Sequence, residues 1–205
     1  MQLIPTEQEV VELLKQTGAL RYGHFEFPNG LHSDMYLQPA LAMRHYETAK
    51  LLSVALSRKL RANSEIRAII PELSIVAPAT GGLPVAYGMC EALRAHQVYW
   101  AENSSQSDEL KFRPHLEPKA GEKVLMVDDV LRTGKKLTEL KAMVEQFGAQ
   151  VVGLAVLVYE PNPETKSFGN LPFFYLTKLE ALYFDGEEPL EASARIAGEA
   201  EKVWI

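Results

Sequence analysis

The stretch that most constrains the fold is residues 124–138, where an apolar run ends in two adjacent acidic residues. The run, Val-Leu-Met-Val, is typical of a buried strand, and Asp128 and Asp129 follow it directly. Thr133 and Gly134 come next, and a helical pattern begins after them. This order suits a ligand with free hydroxyls and a phosphate, because carboxylates accept hydrogen bonds from hydroxyls and amides at a helix start bind phosphate.

Two acids near a helix start also occur as a solvated cap that binds no ligand. Here both acids directly follow a predicted buried strand, at a place where loops carry function. Ligand binding is therefore the favoured interpretation of this pair.

The same alternation of strand and helix continues along the chain. Apolar runs predict strands at residues 74–77, 98–101, 124–127 and 151–158. Helical patterns occupy residues 45–62, 85–95 and 135–147. Such a chain is expected to form an α/β fold with a central, mainly parallel sheet flanked by helices. Ligands bind beyond the carboxyl ends of such strands, and the loops predicted to leave those ends are residues 78–84, 128–136 and 159–170.

The N-terminal part has a different pattern. Thr6 followed by Glu9 predicts a capping box at the start of a helix that ends at Gly18. Residues 22–38 are aromatic and β-branched around Pro-Asn-Gly, which predicts two short strands joined by a turn. The tail after Phe174 gives no clear pattern.

Length and charge limit the class of protein. The 205 residues are enough for one sizeable domain, and the net charge of −6 argues against a general affinity for nucleic acid. No apolar stretch reaches about 18 residues, so no transmembrane helix is expected. The N-terminal sequence has no signal-peptide pattern, and we expect a cytoplasmic protein. Cys90, the only cysteine, excludes an internal disulfide and fits a buried structural thiol.

Three stretches together resemble one enzyme family. The segment with Asp128 and Asp129 resembles the phosphoribosyl pyrophosphate loop of type I phosphoribosyltransferases. Residues 23–36, GHFEFPNGLHSDMY, resemble the N-terminal hood of orotate phosphoribosyltransferases, and residues 81–86, GGLPVA, resemble their pyrophosphate-contacting loop. The stretches occur in the family order, and the similarity spans about residues 8–185.

The resemblance implies a type I phosphoribosyltransferase fold, with residues 1–205 as a single domain and a small hood formed mainly by about residues 1–40. It implies transfer of phosphoribosyl from phosphoribosyl pyrophosphate to orotate, with release of pyrophosphate, in pyrimidine nucleotide synthesis. Family members are usually homodimers, in which a mobile loop serves the neighbouring active site. The residues that it assigns to phosphoribosyl pyrophosphate are Asp128, Asp129, Arg132, Thr133, Gly134, Lys135, Lys136, Gly81 and Gly82.

The resemblance also implies Mg²⁺ as the cofactor. The ion is held mainly by oxygens of the ligand, with possible help from Asp128 and Asp129 and no direct protein site. The five histidines agree with this, since they lack metal-ligand spacing.

Three features depart from the family pattern, and the first is in the phosphate loop. Arg132 stands where a hydroxyl residue is common, and Lys135 and Lys136 stand where small residues are usual. Their bulk could obstruct a phosphate that needs close approach to the backbone. Alternatively, the three cations could bind the phosphate directly.

The second departure is the mobile loop, residues 99–115, which normally supplies catalytic cations. Here it is polar, and Lys111 and Arg113 near its end are the candidate catalytic residues. The alternative is that both are surface charges.

The third departure concerns the base. The family usually recognises the orotate carboxylate with an arginine just after the strand that ends here at Val158, but this chain has Glu160 nearby. Glu160 would repel a carboxylate unless it turns away, or it would bind a different base. Ser33 and Tyr36 are the other candidate base-binding residues, with hood structure as the alternative role. Two other functions therefore remain open: a phosphoribosyltransferase for another base, and a catalytically weak nucleotide- or phosphoribosyl-binding regulator.

Overall fold

The computed structural model describes residues 4–104, 109–185 and 199–203, which form two sheets and the helices that cover them. The helices are α1 (Glu7–Gln16), α2 (Ala40–Met43), α3 (Tyr46–Ala62), α4 (Ser64–Ile69), α5 (Gly82–Leu93) and α6 (Lys135–Gln146). The strands are β1 (Leu20–Glu26), β2 (Leu31–Leu37), β3 (Leu73–Pro78), β4 (Val98–Asn103), β5 (Leu110–Phe112), β6 (Lys123–Leu131), β7 (Gln150–Tyr159), β8 (Phe173–Lys178), β9 (Tyr183–Asp185) and β10 (Glu201–Lys202). A short 3-10 turn, Ile70–Glu72, leads into β3.

The central sheet has the order β5-β4-β3-β6-β7-β8. Its neighbouring strands run parallel except β4 and β5, which are antiparallel. Helices α3 and α5 pack on one face through residues such as Leu56 and Met89, and α6 packs on the other through Leu140 and Val144. The predicted α/β fold with a sheet covered on both faces is confirmed.

The connections diverge between β3 and β6, and this determines where a ligand can bind. The chain leaves β3 through α5 towards β4 on one side and leaves β6 through α6 towards β7 on the other. The carboxyl ends of these two central strands therefore open onto a crevice at the point where the strand order reverses. Such a crevice is the usual ligand site of open α/β sheets.

The smaller sheet, which we call the hood, has the order β10-β1-β2-β9. The predicted hairpin is present: the Phe27 amide donates to the Leu31 carbonyl at 2.8 Å and the Gly30 amide donates to the Phe27 carbonyl at 2.9 Å. The other two strands come from the C-terminal part of the chain, where no element was predicted. The hood sheet thus extends beyond residues 1–40, while the single-domain assignment stays a prediction.

The predicted capping box is confirmed, since the Thr6 side chain accepts from the Glu9 amide and Glu9 accepts from the Thr6 amide. One helix boundary differs clearly from the sequence prediction, and one strand of the central sheet near it was not predicted. Helix α5 begins at Gly82, inside the loop predicted at 78–84, because Pro84 falls in the first turn, where amides need no partner within the helix. Strand β5 was not predicted and pairs with β4.

Cys90 is half-buried, and its thiol donates to the Ala95 carbonyl at 3.4 Å. Burial raises the pKa of this thiol, although the side chain is half-buried where the sequence predicted a buried one. In the described part of the chain, no helix has the length and apolar character needed to cross a membrane.

Candidate active site

Asp128 and Asp129 lie in the last part of β6, at the crevice, and both are half-buried. The sequence placed them in a loop, but β6 stays paired with β7 as far as Leu131, so the acids belong to the strand. The Asp129 amide donates to Oδ1 of Asp128 at 2.9 Å, and the Val130 amide donates to Oδ1 of Asp129 at 2.8 Å. In each carboxylate, Oδ2 therefore has no backbone donor among the described residues.

The electrostatics of this acid pair are unfavourable without a ligand. Burial raises the pKa of Asp128 well above its ordinary value, and the charge of Asp129 raises it further. Burial also raises the pKa of Asp129, although the Val130 amide and the charge of Arg132 oppose this. Hydroxyl donors at this position would stabilise the ionised pair, since hydrogen bonds to the charged form favour it.

The loop after β3 lies directly against the acids. A Cβ added to Gly81 would be 3.1 Å from Oδ2 of Asp129, and one added to Gly82 would be 3.0 Å from Oδ1 of Asp128. Glycine is required for this close approach, because a side chain at either position would occupy the space beside the carboxylates. The two glycines thus bring the start of α5 to the acid pair.

The loop between β6 and α6 has the geometry of an anion site. Gly134 has a φ of 74° and directly precedes α6. The Thr165 hydroxyl donates to the Arg132 carbonyl at 2.6 Å, and the Lys166 amide donates to the Thr133 carbonyl at 2.9 Å. Since C=O and N–H point in opposite directions across a trans peptide, the amides of Thr133 and Gly134 face away from the 165–166 segment. Neither amide has a hydrogen-bond partner in the described ranges, so both are available to a phosphate.

The two lysines that follow take different positions. Lys136 donates from Nζ to Oδ1 of Asn103 at 3.0 Å, which ties the start of α6 to the end of β4. Lys135 is exposed, and its amide donates to the Thr133 hydroxyl oxygen at 3.3 Å. The side chain of Lys136 therefore reaches towards the end of β4.

The side chain of Arg132 extends from this loop towards the hood. Its Nη2 donates to Oε2 of Glu160 at 3.0 Å, and the Tyr183 hydroxyl donates to the other Glu160 oxygen. The guanidinium carbon lies 5.8 Å from the centre of the Tyr183 ring. Glu160 is only 1% exposed, and burial together with the charge of Glu160 raises the pKa of Tyr183 above its ordinary value. These three side chains form what we call the Arg132 cluster.

Comparison with known proteins assigns the family. A model of the phosphoribosyl transferase domain matches residues 54–169, which is more than half of the chain. The protein belongs to the phosphoribosyltransferase family. The general substrates of this family are phosphoribosyl pyrophosphate and a nucleobase.

Several similar proteins are orotate phosphoribosyltransferases. The orotate phosphoribosyltransferase of Carboxydothermus hydrogenoformans is 34% identical over 171 residues, which cover 83% of this chain and 84% of the relative. That of Pelotomaculum thermopropionicum is 34% identical over 157 residues and covers 77% of each chain. The crystal structure of orotate phosphoribosyltransferase from Aeropyrum pernix shares the fold with a TM-score of 0.66 and 20% identity, over 83% of this chain and 93% of that one.

The predicted base-binding residues of this phosphoribosyltransferase lie in or beside the hood. Ser33 is fully buried in β2, and its Oγ accepts from the Met35 amide at 3.2 Å. Tyr36, also buried, donates to Oε1 of Gln38 at 2.9 Å. Ser33 is paired in register with Tyr183 of β9, so it lies one strand away from the Arg132 cluster.

The candidate catalytic cations lie on β5 and just after it, and residues 105–108 of the predicted mobile loop fall outside the described ranges. Arg113 donates to Oε2 of Glu102 through Nε at 3.0 Å and Nη2 at 2.8 Å. Lys111 is exposed and stands opposite Glu102 in the β4–β5 register. Glu102 also accepts from the Trp100 indole at 3.0 Å.

Sequence reasoning missed Tyr183 and Asn103, and it placed the 159–170 loop at the site without predicting that Thr165 and Lys166 support the phosphate loop. Tyr183 and Asn103 are far in sequence from the groups they contact, so local patterns give no signal for them. The Arg132–Glu160 contact follows from the strand register, which pairs Leu131 with Tyr159 and so places the next residues, of opposite charge, side by side.

Proposed function

We propose that this phosphoribosyltransferase transfers the phosphoribosyl group from phosphoribosyl pyrophosphate to orotate. A ring nitrogen of the base forms a bond to the anomeric carbon of the ribose as the bond to pyrophosphate breaks. The observation that carries the proposal is the acid pair of β6 beside two available amides, at the crevice between β3 and β6. The names of the similar proteins support orotate as the base.

Each part of the sugar-phosphate has a matching group. Asp128 and Asp129 accept hydrogen bonds from the two ribose hydroxyls, which relieves the cost of burying two like charges. The amides of Thr133 and Gly134 bind the 5′-phosphate, and the exposed Lys135 adds positive charge beside it. Gly81 and Gly82 let the pyrophosphate approach the backbone at the start of α5.

The residues present also fit Mg²⁺ that arrives with its ligand. No group of three or more histidine, cysteine or acidic side chains suited to a metal occurs among the described residues. The acid pair is too small a donor set for a protein-only site, yet it can assist an ion held by ligand oxygens. When bound, Mg²⁺ neutralises charge on the departing pyrophosphate.

Lys111 and Arg113 are the proposed cations for the pyrophosphate. Arg113 is held by Glu102, whereas Lys111 is exposed on β5. Charge builds on the leaving group during the reaction, so a cation that meets it there lowers the barrier.

The proposal includes a homodimer. Tyr46 and Tyr87 are 68% and 57% exposed, and both line one groove between α3 and α5. Large apolar side chains grouped on one surface favour association with another chain. The cytoplasmic location expected from the sequence stays a prediction.

The proposal is tested by assay of pyrophosphate release with phosphoribosyl pyrophosphate, Mg²⁺ and a panel of orotate, uracil, adenine and hypoxanthine. Release that depends on orotate supports it. Release with another base alone contradicts orotate as the substrate, and binding of phosphoribosyl pyrophosphate without release for any base contradicts catalysis. Glu160 was the main argument for another base, and both of its oxygens are bound within the protein, which weakens that argument.

A further inference from the structure

We propose that Arg132 binds the carboxylate of orotate, and that buried Glu160 and Tyr183 are positioning residues for its guanidinium. This inference rests on the proposed function and names the group that distinguishes orotate from a neutral pyrimidine. It replaces the phosphate-binding role that the sequence predicted for Arg132.

The Arg132 guanidinium has N–H groups that make no hydrogen bond to the described residues. One nitrogen, Nη2, is bound to Glu160, whereas Nε is buried with no hydrogen-bond partner among the described residues. Arginine presents five N–H groups in a planar fork, so a single contact to Glu160 leaves most of them for a second carboxylate. An unpaired buried donor is costly, and a ligand carboxylate would remove that cost.

Glu160 is placed to hold the arginine and not to bind the base. It is 1% exposed, and its two oxygens are taken by Arg132 and Tyr183. A buried carboxylate of this kind is stable only while its partners remain, so it holds the guanidinium in one place. Tyr183 keeps its proton, because burial and Glu160 raise its pKa, and it therefore remains a donor to Glu160.

The position of the cluster suits the base and not the phosphate. Arg132 and Glu160 directly follow the ends of β6 and β7, and Tyr183 reaches them from the hood. The available amides of the phosphate loop are those of Thr133 and Gly134, beyond Arg132 and at the start of α6. A nucleotide has its phosphate at C5′ and its base at C1′, so a ribose held at Asp128 and Asp129 directs the two groups to different places. The phosphate takes the helix start, and the base takes the hood side.

The chemistry of arginine explains why a carboxylate is the preferred ligand there. A planar fork matches a planar carboxylate through two parallel hydrogen bonds, which gives orientation as well as affinity. A neutral pyrimidine such as uracil has no group at that position to make this contact. Arg132 is therefore expected to act on the choice of base more than on binding of the sugar-phosphate.

The test compares the affinities of two nucleotides that differ only in the carboxylate, orotidine 5′-phosphate and uridine 5′-phosphate, by isothermal titration. The wild-type protein should prefer the orotidine nucleotide by roughly 10- to 100-fold, the worth of a hydrogen bond to a charged group. Arg132→Gln should lose this preference while its affinity for the uridine nucleotide changes by less than about twofold. Arg132→Lys should recover only part of it, because lysine keeps the charge and lacks the fork.

Lys123→Gln is the matched control, since it removes one positive charge from an ion pair with Glu72 at the opposite end of the sheet. It should leave the preference unchanged. If Arg132→Gln is unstable, Arg132→Gln with Glu160→Gln removes both charges, keeps hydrogen-bonding groups, and should lose the preference in the same way.

Equal weakening of both nucleotides by Arg132→Gln would mean that Arg132 binds phosphate, and an unchanged preference would mean that it does not contact the base; either result overturns the inference. A wild-type protein that forms the orotidine nucleotide without preferring it keeps the proposed function and overturns the inference alone. A wild-type protein that turns over another base and not orotate overturns the proposed function, and the inference with it.

Discussion

Two pairs of charged side chains lie close together at the crevice, and they differ in how their charges are balanced. Asp128 and Asp129 have the same sign, each accepts a hydrogen bond from a backbone amide, and burial raises the pKa of both. Arg132 and Glu160 have opposite signs and lie 3.0 Å apart. The comparison shows that the acid pair has no ion-pair partner among the described residues, whereas Arg132 is held in position by Glu160 and still keeps N–H groups for a ligand.

The same contrast recurs at the β4–β5 hairpin. Arg113 is bound to Glu102 by two hydrogen bonds. Lys111, also next to Glu102 in the register, has no ion pair with any of the described residues. If the contrast holds, Lys111 is the more available cation for a ligand.

The largest effect is expected when the held pair is broken. Glu160→Ala should lower the free energy of unfolding by about 3 kcal/mol, because it leaves the Arg132 guanidinium partly buried and without its counterion. Urea unfolding measures this. Glu72→Ala, which breaks the exposed pair with Lys123, should cost much less, because water screens an exposed ion pair. An equal loss of unfolding free energy in the two variants would contradict the view that the buried Arg132–Glu160 pair matters more for stability than the exposed one.

Removal of the charges of the acid pair should weaken ligand binding without lowering stability. Asp128→Asn with Asp129→Asn should weaken phosphoribosyl pyrophosphate binding, measured by titration with Mg²⁺, by about 100-fold, because hydrogen bonds to charged acceptors are lost. The ligand-free protein should be no less stable, since two buried like charges are removed. Glu72→Gln, a single surface change, should leave affinity unchanged. Undiminished affinity in the double variant would contradict the assigned role of the acids.

A smaller effect is expected at the hairpin. Lys111→Ala should lower kcat by roughly 10- to 100-fold, the worth of one charged hydrogen bond in the transition state. Arg113→Ala should lower kcat less, because Arg113 must leave Glu102 before it can reach the pyrophosphate. Steady-state assays of pyrophosphate release measure both. A larger loss for Arg113 would show that its ion pair opens when the ligand binds.

The sequence predicted those parts of the fold that depend on local pattern. Strands β3, β6 and β7 appear as apolar runs because both faces of the sheet are covered. Thr6 and Glu9 predicted a helix start because their capping contacts are only three residues apart. The candidate phosphate loop was also predictable, because it follows one strand and precedes one helix.

The parts that depend on distant contacts could not be predicted. Strands β9 and β10 join the hood by pairing with β2 and β1, and nothing in their own few residues indicates those partners. Glu160 appeared to be an obstacle to orotate because its partners, Arg132 and Tyr183, lie 28 and 23 residues away. The sequence around a polar residue does not indicate whether it is buried. Its role therefore depends on its partners, which only the structure reveals.

The smallest effect is the pH dependence of the ligand-free protein. Since the folded-state pKa of Asp128 and Asp129 is raised above the ordinary value of 3.8, the folded protein binds protons more tightly than the unfolded chain does. Stability should therefore fall as pH rises from 3.8 through the raised pKa values, and it should stay level above them. Urea titrations at several pH values measure this as the difference in unfolding free energy between wild type and the double asparagine variant, which cancels the contribution of other groups. The unfolding free energy of the variant should rise relative to that of the wild type as pH rises. A difference that stays constant with pH would mean that folding does not shift the pKa values of the two acids.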